Sequence, residues 1–132
     1  MPRWYFKSGA LAPEAAEGFK RPERNFANGG AVTINADTIH RVWEKGSTVL
    51  GVDSDAWRKD ECTAWIGRNN YGEADRELGF GWEIDHIKPV SEGGGDDLSN
   101  LRPFQWRNSR AKRAGRSPCV VVSSGNKNVF AR

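Results

Sequence analysis

The alternation of apolar and polar residues is weak in the first third of the chain and becomes regular only further along. Residues 1–35 contain scattered prolines and glycines and show little periodicity. Such a pattern lacks the repeated apolar face that a helix or a strand needs to pack. It predicts a weakly ordered N-terminal arm, held to the body by aromatic residues at 4–6.

A short helix is predicted from Thr38 to Lys45, where apolar residues first recur at helical spacing. Asp37 is a suitable N-terminal cap, and Gly46 is a suitable stop. The predicted buried face consists of Ile39, Val42 and Trp43. His40 lies on the same helix, where a single histidine is expected to be structural or exposed to solvent.

The middle of the chain gives a less definite pattern. Residues 48–57 read as an extended piece followed by a turn. Residues 60–72 are ambiguous, since Cys62, Trp65 and Ile66 have helical spacing and are expected in the core. An Asn-Asn-Tyr-Gly loop closes this stretch.

The pattern sharpens from Phe80, where apolar residues alternate with Gly81 and Glu83 and so predict a half-buried strand. Pro89 ends this strand. The following elements are a glycine-rich loop at 90–100, an extended piece at 101–104, a helix at 105–115 closed by Gly115, and a basic tail at 116–132 with an edge strand near 119–122. The predicted fold class is α+β, with a strand–loop–strand–helix unit at about 80–114 and an irregular, partly helical N-terminal extension.

Composition indicates one small domain with a thin, aromatic core. Only 37% of the 132 residues are hydrophobic, but six Trp and six Phe offer large apolar surfaces. Cys62 and Cys119 form no CxxC pair, which argues against a zinc knuckle, and we expect two reduced buried thiols. The chain shows no membrane-spanning run and no secretory signal, so a cytoplasmic location is expected.

Charge is distributed unevenly along the chain. Residues 61–100 contain three Lys or Arg and nine Asp or Glu, whereas residues 101–132 contain eight Lys or Arg and no acid. A cationic segment suits a polyanion such as DNA or RNA. Acidic residues directly before it suit a divalent metal placed between protein and phosphate.

Asp85 and His86 carry the first two functions that a one-metal phosphodiesterase requires. A carboxylate is a hard oxygen ligand for a divalent cation, and histidine is the commonest general base at neutral pH. Neighbouring side chains on an ideal strand point to opposite faces. They converge only where the strand twists or ends, as Pro89 indicates here.

The segment EIDHIKPVSEGGGDDLSNLRPFQWRNSRAK resembles the HNH endonuclease family. The shared features, in order, are Asp85-His86, Pro89, the glycine-rich acidic loop, Asn100-Leu101, and a helix with Asn108, Ser109 and Lys112. Residues 38–46 and 56–65 also look like a bacterial HNH subgroup, which extends the resemblance to residues 38–113. The resemblance implies a ββα-metal fold within an HNH nuclease domain at 36–116, preceded by the arm at 1–35 and followed by a basic tail at 117–132.

The resemblance also implies roles for individual residues. Asp85 would be a metal ligand and His86 the general base, while Asn100 would brace the loop and help to orient His86 through hydrogen bonds. The last ligand would come from the helix, where the usual family spacing from Asn100 lands on Ser109. A hydroxyl is a poor ligand beside an amide, so ligand chemistry favours Asn108, and the choice between Asn108 and Ser109 stays open. The expected cofactor is one divalent metal, Mg²⁺ first, with Mn²⁺, Ni²⁺ or Zn²⁺ as alternatives.

The predicted helix adds a cationic stripe that starts beside the expected site. Residues three apart lie on one face of a helix, and like charges there favour phosphate contacts that carry no sequence specificity. The residues expected to bind nucleic acid are Arg107, Arg110, Lys112, Arg113 and Arg116.

The leading hypothesis is a metal-dependent endonuclease acting on DNA. Three alternatives remain open: a nucleic-acid binding module of the same fold with weakened catalysis, a toxin nuclease with a protein inhibitor, and a structural protein. A homodimer is one arrangement by which a one-site domain would cut both strands. The sequence leaves undecided the target sequence, DNA against RNA, and nicking against double-strand cleavage.

Overall fold

The computed structural model describes residues 34–132 with their side chains, together with the backbone of Phe26–Ala27 and of Thr33. These residues form a mixed α+β structure, as predicted. The predicted N-terminal arm lies almost entirely outside the described residues. Its end forms a two-residue pairing, β1 (Phe26–Ala27) with β2 (Thr33–Ile34).

Helix α1 spans Ala36–Trp43, which is two residues earlier at each end than predicted. The cap is Asn35 rather than Asp37, because the Asn35 side chain accepts a hydrogen bond from the Thr38 amide at 2.8 Å. The predicted apolar face is confirmed, since Ile39, Val42 and Trp43 are all buried.

The ambiguous middle segment folds as an antiparallel hairpin, with β3 (Trp57–Lys59) paired to β4 (Trp65–Gly67). The expected core positions Cys62, Trp65 and Ile66 are buried. These residues do not form a helix despite their helical spacing. Strand β4 directs Ile66 into one core cluster and Trp65 into the other, so both are buried.

The centre of the fold is a second hairpin, formed by β5 (Trp82–His86) and β6 (Leu101–Gln105). Helix α2 (Trp106–Arg113) follows β6 directly, with Gly115 in the left-handed conformation just beyond its end. Trp82 packs with α1 on one face of the hairpin, while Glu83 and Asp85 on the other face contact side chains of α2. Both faces of β5 are therefore covered, whereas a half-buried strand was predicted.

The core consists of two clusters rich in tryptophan. The larger contains Ile39, Val42, Trp43, Ile66, Trp82 and Leu101, and the smaller is built on Trp57 and Trp65. Trp43 and Trp82 meet at a ring-centroid distance of 5.5 Å where α1 crosses the central hairpin. Large rings thus supply the apolar contact area that the low hydrophobic content would otherwise lack.

The C-terminal tail forms a third hairpin, β7 (Val121–Ser124) with β8 (Lys127–Phe130). It is tied to the body by a disulfide between Cys62 and Cys119, so the prediction of two reduced thiols was wrong. The two sulfurs meet only because the tail folds back over the β3–β4 turn, a contact between residues 57 positions apart. Disulfides persist chiefly in oxidising compartments, so this pair gives no support to a cytoplasmic location.

Within the described part of the chain, no helix has both the length and the apolar character needed to cross a membrane.

Candidate functional site

The end of β5, the loop that follows it and the inner face of α2 enclose a cleft of about 540 Å³. Asp85 and His86, the last two residues of β5, both line it although their side chains leave the strand on opposite sides. The loop contributes Pro89 to Glu92, and α2 contributes Ser109 and Lys112. The convergence expected from the end of the strand is therefore present in the fold.

The Asp85 carboxylate lies at the base of this region and is only 3% exposed. Its Oδ2 atom accepts a hydrogen bond from Nε of Arg102 at 2.8 Å, and its Oδ1 atom lies 3.3 Å from Nζ of Lys112. Arg102 is the direct cross-strand partner of Asp85 in the β5–β6 register. A buried carboxylate is stable only with such compensation, and here two cations provide it.

The His86 ring is held by an acidic residue of the following loop. Its Nε2 atom lies 2.9 Å from Oδ1 of Asp96, and its side chain remains 20% exposed. When Nε2 carries the proton and donates it to Asp96, Nδ1 is the nitrogen that can accept a proton. The sequence pattern does not indicate this partner, because Asp96 is one of several acidic residues in the glycine-rich loop.

Asn100 fastens the two ends of that loop together. Its side-chain oxygen accepts from the Lys88 amide at 2.8 Å, and its side-chain nitrogen donates to the carbonyls of Lys88 and Gly95. A Cβ at Gly94 would collide with the Lys88 carbonyl, so the chain can pass there only with glycine. The loop that carries Asp96 to His86 is thus fixed by backbone contacts next to β5.

Helix α2 presents Ser109, and not Asn108, to the cleft. Asn108 is fully buried and uses its whole amide elsewhere: its nitrogen donates to Asp60 and to the Val121 carbonyl, and its oxygen accepts from the Val120 and Val121 amides. Ser109 is 1% exposed and lines the cleft beside Asp85 and His86. The predicted metal-site residues Asp85 and Ser109 are brought together, and Asn108 is directed away from them.

Asp60 is a second buried acid that the sequence did not single out. Its carboxylate accepts hydrogen bonds from the backbone amides of Cys62 and Ala64, both at 2.8 Å. It also accepts from the backbone amide of Gln105 at 2.9 Å and from the side-chain nitrogen of Asn108 at 3.0 Å. Burial raises the pKa of Asp60, and these hydrogen bonds oppose that shift. The residue ties the β3–β4 turn to the start of α2 and so fixes the rotation of the helix.

The cationic stripe predicted on α2 exists, but much of its charge is paired. Arg110 and Arg113 both contact Glu83 of β5, at 2.7 and 3.2 Å, and Arg107 lies 3.3 Å from Glu77. Lys112 points inward to Asp85 rather than outward. Arg116 lies beyond the helix and is exposed.

The oxygen donors in the cleft fit one divalent cation held by few protein ligands. The Asp85 carboxylate and the Ser109 hydroxyl are hard oxygens of the type that Mg²⁺ and Mn²⁺ accept. Oδ1 of Asp85 has the longer of the two ion-pair distances, 3.3 Å against 2.8 Å at Oδ2. Among residues 34–132, His, Cys, Asp and Glu form no cluster of three that could enclose a metal, so water and phosphate would complete the coordination.

Comparison with known proteins gives one family match. Residues 75–104 match the family model described as HNH endonuclease. A search of curated proteins gave no match, and a search of solved structures also gave none. The matched residues contain β5, the loop braced by Asn100 and nearly all of β6. The match confirms the resemblance to the HNH endonucleases, a family whose function is nuclease-type and directed at nucleic acid.

Proposed function

We propose that this chain is a divalent-metal-dependent endonuclease that hydrolyses phosphodiester bonds in DNA. The observation that carries the proposal is the meeting of Asp85, His86 and Ser109 around one cleft, within a segment that matches the HNH family. In this proposal Asp85 and Ser109 hold the cation. The bound cation supplies charge stabilisation for the phosphate and the leaving oxygen.

His86 is the proposed general base, which removes a proton from the attacking water. Its contact with Asp96 fixes the ring and favours the cationic ring that forms once the proton is taken. Asn100 acts on His86 indirectly, because it holds the loop that carries Asp96. It is therefore proposed as a positioning residue.

Four arginines on α2 and just beyond its end are proposed to contact the phosphates that flank the cleaved bond. Arg107, Arg110, Arg113 and Arg116 would bind without sequence preference, since phosphate contacts carry no base information. Glu83 competes for two of these side chains, so phosphate must displace an existing ion pair.

A binding module of the same fold with weakened catalysis is the second candidate. It is favoured by Ser109 at the ligand position and by the two cations already on Asp85. A toxin nuclease with a protein inhibitor uses the same chemistry, and the Cys62–Cys119 disulfide suits a protein that acts outside a reducing compartment. A homodimer remains a proposal for cutting both strands.

Plasmid cleavage by the wild type and by His86→Ala tests the proposal, with EDTA, Mg²⁺, Mn²⁺ or Ni²⁺ at low salt. The nuclease function predicts nicking or linearisation by the wild type with metal only, and its loss in His86→Ala. Structured and single-stranded RNA are tested in parallel, to separate DNA from RNA as substrate. Binding of DNA without cleavage of either nucleic acid under any metal would leave the binding module as the function.

A further inference from the structure

Both carboxylate oxygens of Asp85 already have a protein cation beside them, which bears on how the proposed metal would enter. Asp85 and Glu61 contribute two negative charges, and Arg102 and Lys112 contribute two positive charges. This group of four residues, which we call the Asp85 charge cluster, is electrically neutral. A divalent cation added to it would meet two like charges in a poorly hydrated place, where repulsion is strong.

The two cations of the Asp85 charge cluster are not held equally. Arg102 is fixed on three sides: its Nε lies 2.8 Å from Asp85, its guanidinium lies 2.6 Å from Glu61, and it stacks over Phe104 at 4.2 Å from the ring centroid. It is not among the residues that line the cleft. Arg102 therefore holds and aims the carboxylate.

Lys112 is held more loosely on Asp85 and lines the cleft itself. Its Nζ atom is 3.3 Å from Asp85 Oδ1 but only 2.6 Å from the His86 carbonyl oxygen. Lysine is a flexible point charge that can rotate about four side-chain bonds. It can leave Oδ1 of Asp85 while Arg102 remains in place on Oδ2.

We propose that Lys112 is the resident counter-cation of Asp85, so the site takes up its metal strongly only together with a nucleic-acid phosphate. The phosphate supplies the negative charge that compensates the metal, and it accepts the Lys112 ammonium when that group leaves Asp85. Metal binding and substrate binding are then thermodynamically coupled, and the coupling is reciprocal. The inference rests on the proposed function, because it assumes that Asp85 is a metal ligand.

The test measures Mn²⁺ affinity by calorimetry, with and without a short DNA duplex, using variants of the full chain. The duplex experiments use a His86→Ala background to prevent cleavage, and the Lys112 contact there is unaffected because it uses the His86 backbone. Lys112→Met is compared with Arg113→Met, a matched control that removes one positive charge from the same cleft but pairs with Glu83 and not with Asp85. Asp85→Asn identifies the binding that belongs to the site.

Without DNA, Lys112→Met is expected to bind Mn²⁺ about tenfold more tightly than the wild type, the effect of removing one adjacent like charge. Arg113→Met is expected to change this affinity less than about threefold, because distance and solvent weaken its effect. DNA is expected to raise Mn²⁺ affinity about tenfold or more with Lys112 present, and much less with Lys112→Met.

Equal Mn²⁺ affinity with and without DNA in the Lys112-containing protein would overturn the inference, and this measurement needs no Lys112 variant to fold. Equal tightening by Lys112→Met and Arg113→Met would also overturn it, because general electrostatics would then be the cause. Mn²⁺ binding that survives in Asp85→Asn would overturn the inference and the proposed metal site together. If DNA raises Mn²⁺ affinity as expected but the wild type cleaves no nucleic acid, the nuclease function alone is refuted.

Discussion

His86 and Asp96 lie ten residues apart in sequence, yet their side chains meet at 2.9 Å between Nε2 and Oδ1. The loop that separates them is closed by Asn100, which bonds to the backbone at Lys88 and at Gly95. The His86 ring is therefore oriented by the loop that follows it, because an acidic hydrogen-bond partner fixes the orientation and tautomer of a histidine ring.

Asp96→Asn is expected to lower metal-dependent plasmid cleavage about tenfold, because the His86 ring loses its charged partner. His86→Ala should cost about 100- to 10,000-fold, the usual contribution of a general base. The double variant should be no slower than His86→Ala, since both changes act through one ring. Asp97→Asn, at the exposed neighbouring position, is the control, and an equal loss there would show a general charge effect instead.

Substitutions of Asn108 and of Ser109 are expected to have different effects, on folding stability for Asn108 and on metal binding for Ser109. Asn108→Ala leaves buried partners on Asp60 and on the Val120–Val121 backbone unsatisfied, so it should lower the free energy of unfolding by about 3 kcal/mol or more. Ser109→Ala should change stability by less than about 1 kcal/mol but reduce Mn²⁺ affinity and cleavage. Ser109→Asn should increase Mn²⁺ affinity and cleavage, because an amide oxygen is a better metal ligand than a hydroxyl. Urea unfolding and Mn²⁺ titration give the two readouts. A stable Asn108→Ala protein that no longer binds Mn²⁺ would identify Asn108 as the ligand.

Glu83 is expected to limit nucleic-acid affinity, because it occupies Arg110 and Arg113. Glu83→Gln frees both side chains, so DNA binding at low salt should tighten about threefold to tenfold, and the salt dependence should steepen by one to two phosphate contacts. Glu44→Gln removes the same charge at the residue just after α1, remote in sequence from the stripe. Fluorescence anisotropy over a salt series measures the effect, and identical behaviour of the two variants would mean that net charge alone is responsible.

The Cys62–Cys119 disulfide is expected to stabilise the fold substantially. It closes a loop of 57 residues, for which the chain-entropy relation gives about 4 kcal/mol. The double variant Cys62→Ser, Cys119→Ser should lose about this amount of unfolding free energy. Dithiothreitol should produce the same loss in the wild type and none in the variant. Coincident urea curves for oxidised and reduced wild type would contradict the expectation.

Asp60 is expected to make folding stability depend on pH. Burial raises its folded-state pKa above the ordinary 3.8, so between 3.8 and the folded value the folded protein holds a proton that the unfolded chain has released. The Asp60 contribution to stability is then greatest below pH 3.8 and is lost as pH rises through the folded pKa.

Urea unfolding over this pH window checks the sign. The free energy of unfolding of the wild type minus that of Asp60→Asn should fall as pH rises. Asp55→Asn, at an exposed carboxylate, is the control for the loss of one negative charge. A difference that grows with pH would mean that the four hydrogen bonds to Asp60 outweigh its burial.

The sequence by itself determined the elements whose signals are local. The helical spacing of Ile39, Val42 and Trp43 predicted α1, and the strand, glycine-rich loop, strand and helix from Phe80 to Gly115 were predicted in order. The candidates Asp85 and His86 came from the end of a predicted strand, and Asn100 came from the resemblance to the HNH family. The structure places Asp85 and His86 in one cleft, and Asn100 against the backbone of the adjoining loop. Boundaries shifted by about two residues where capping differed, as at Asn35.

Only the tertiary structure decided which side chains meet across long stretches of chain. The choice between Asn108 and Ser109 is a rotation of about 100° on a helix, and Asp60 and the β7 backbone, at long range, fix that rotation. Three other features arise in the same way: the Cys62–Cys119 pairing, the neutralisation of Arg110 by Glu83, and the two cations on Asp85. Each is a contact between distant segments, and its energy depends on how those segments pack, which residue spacing does not encode.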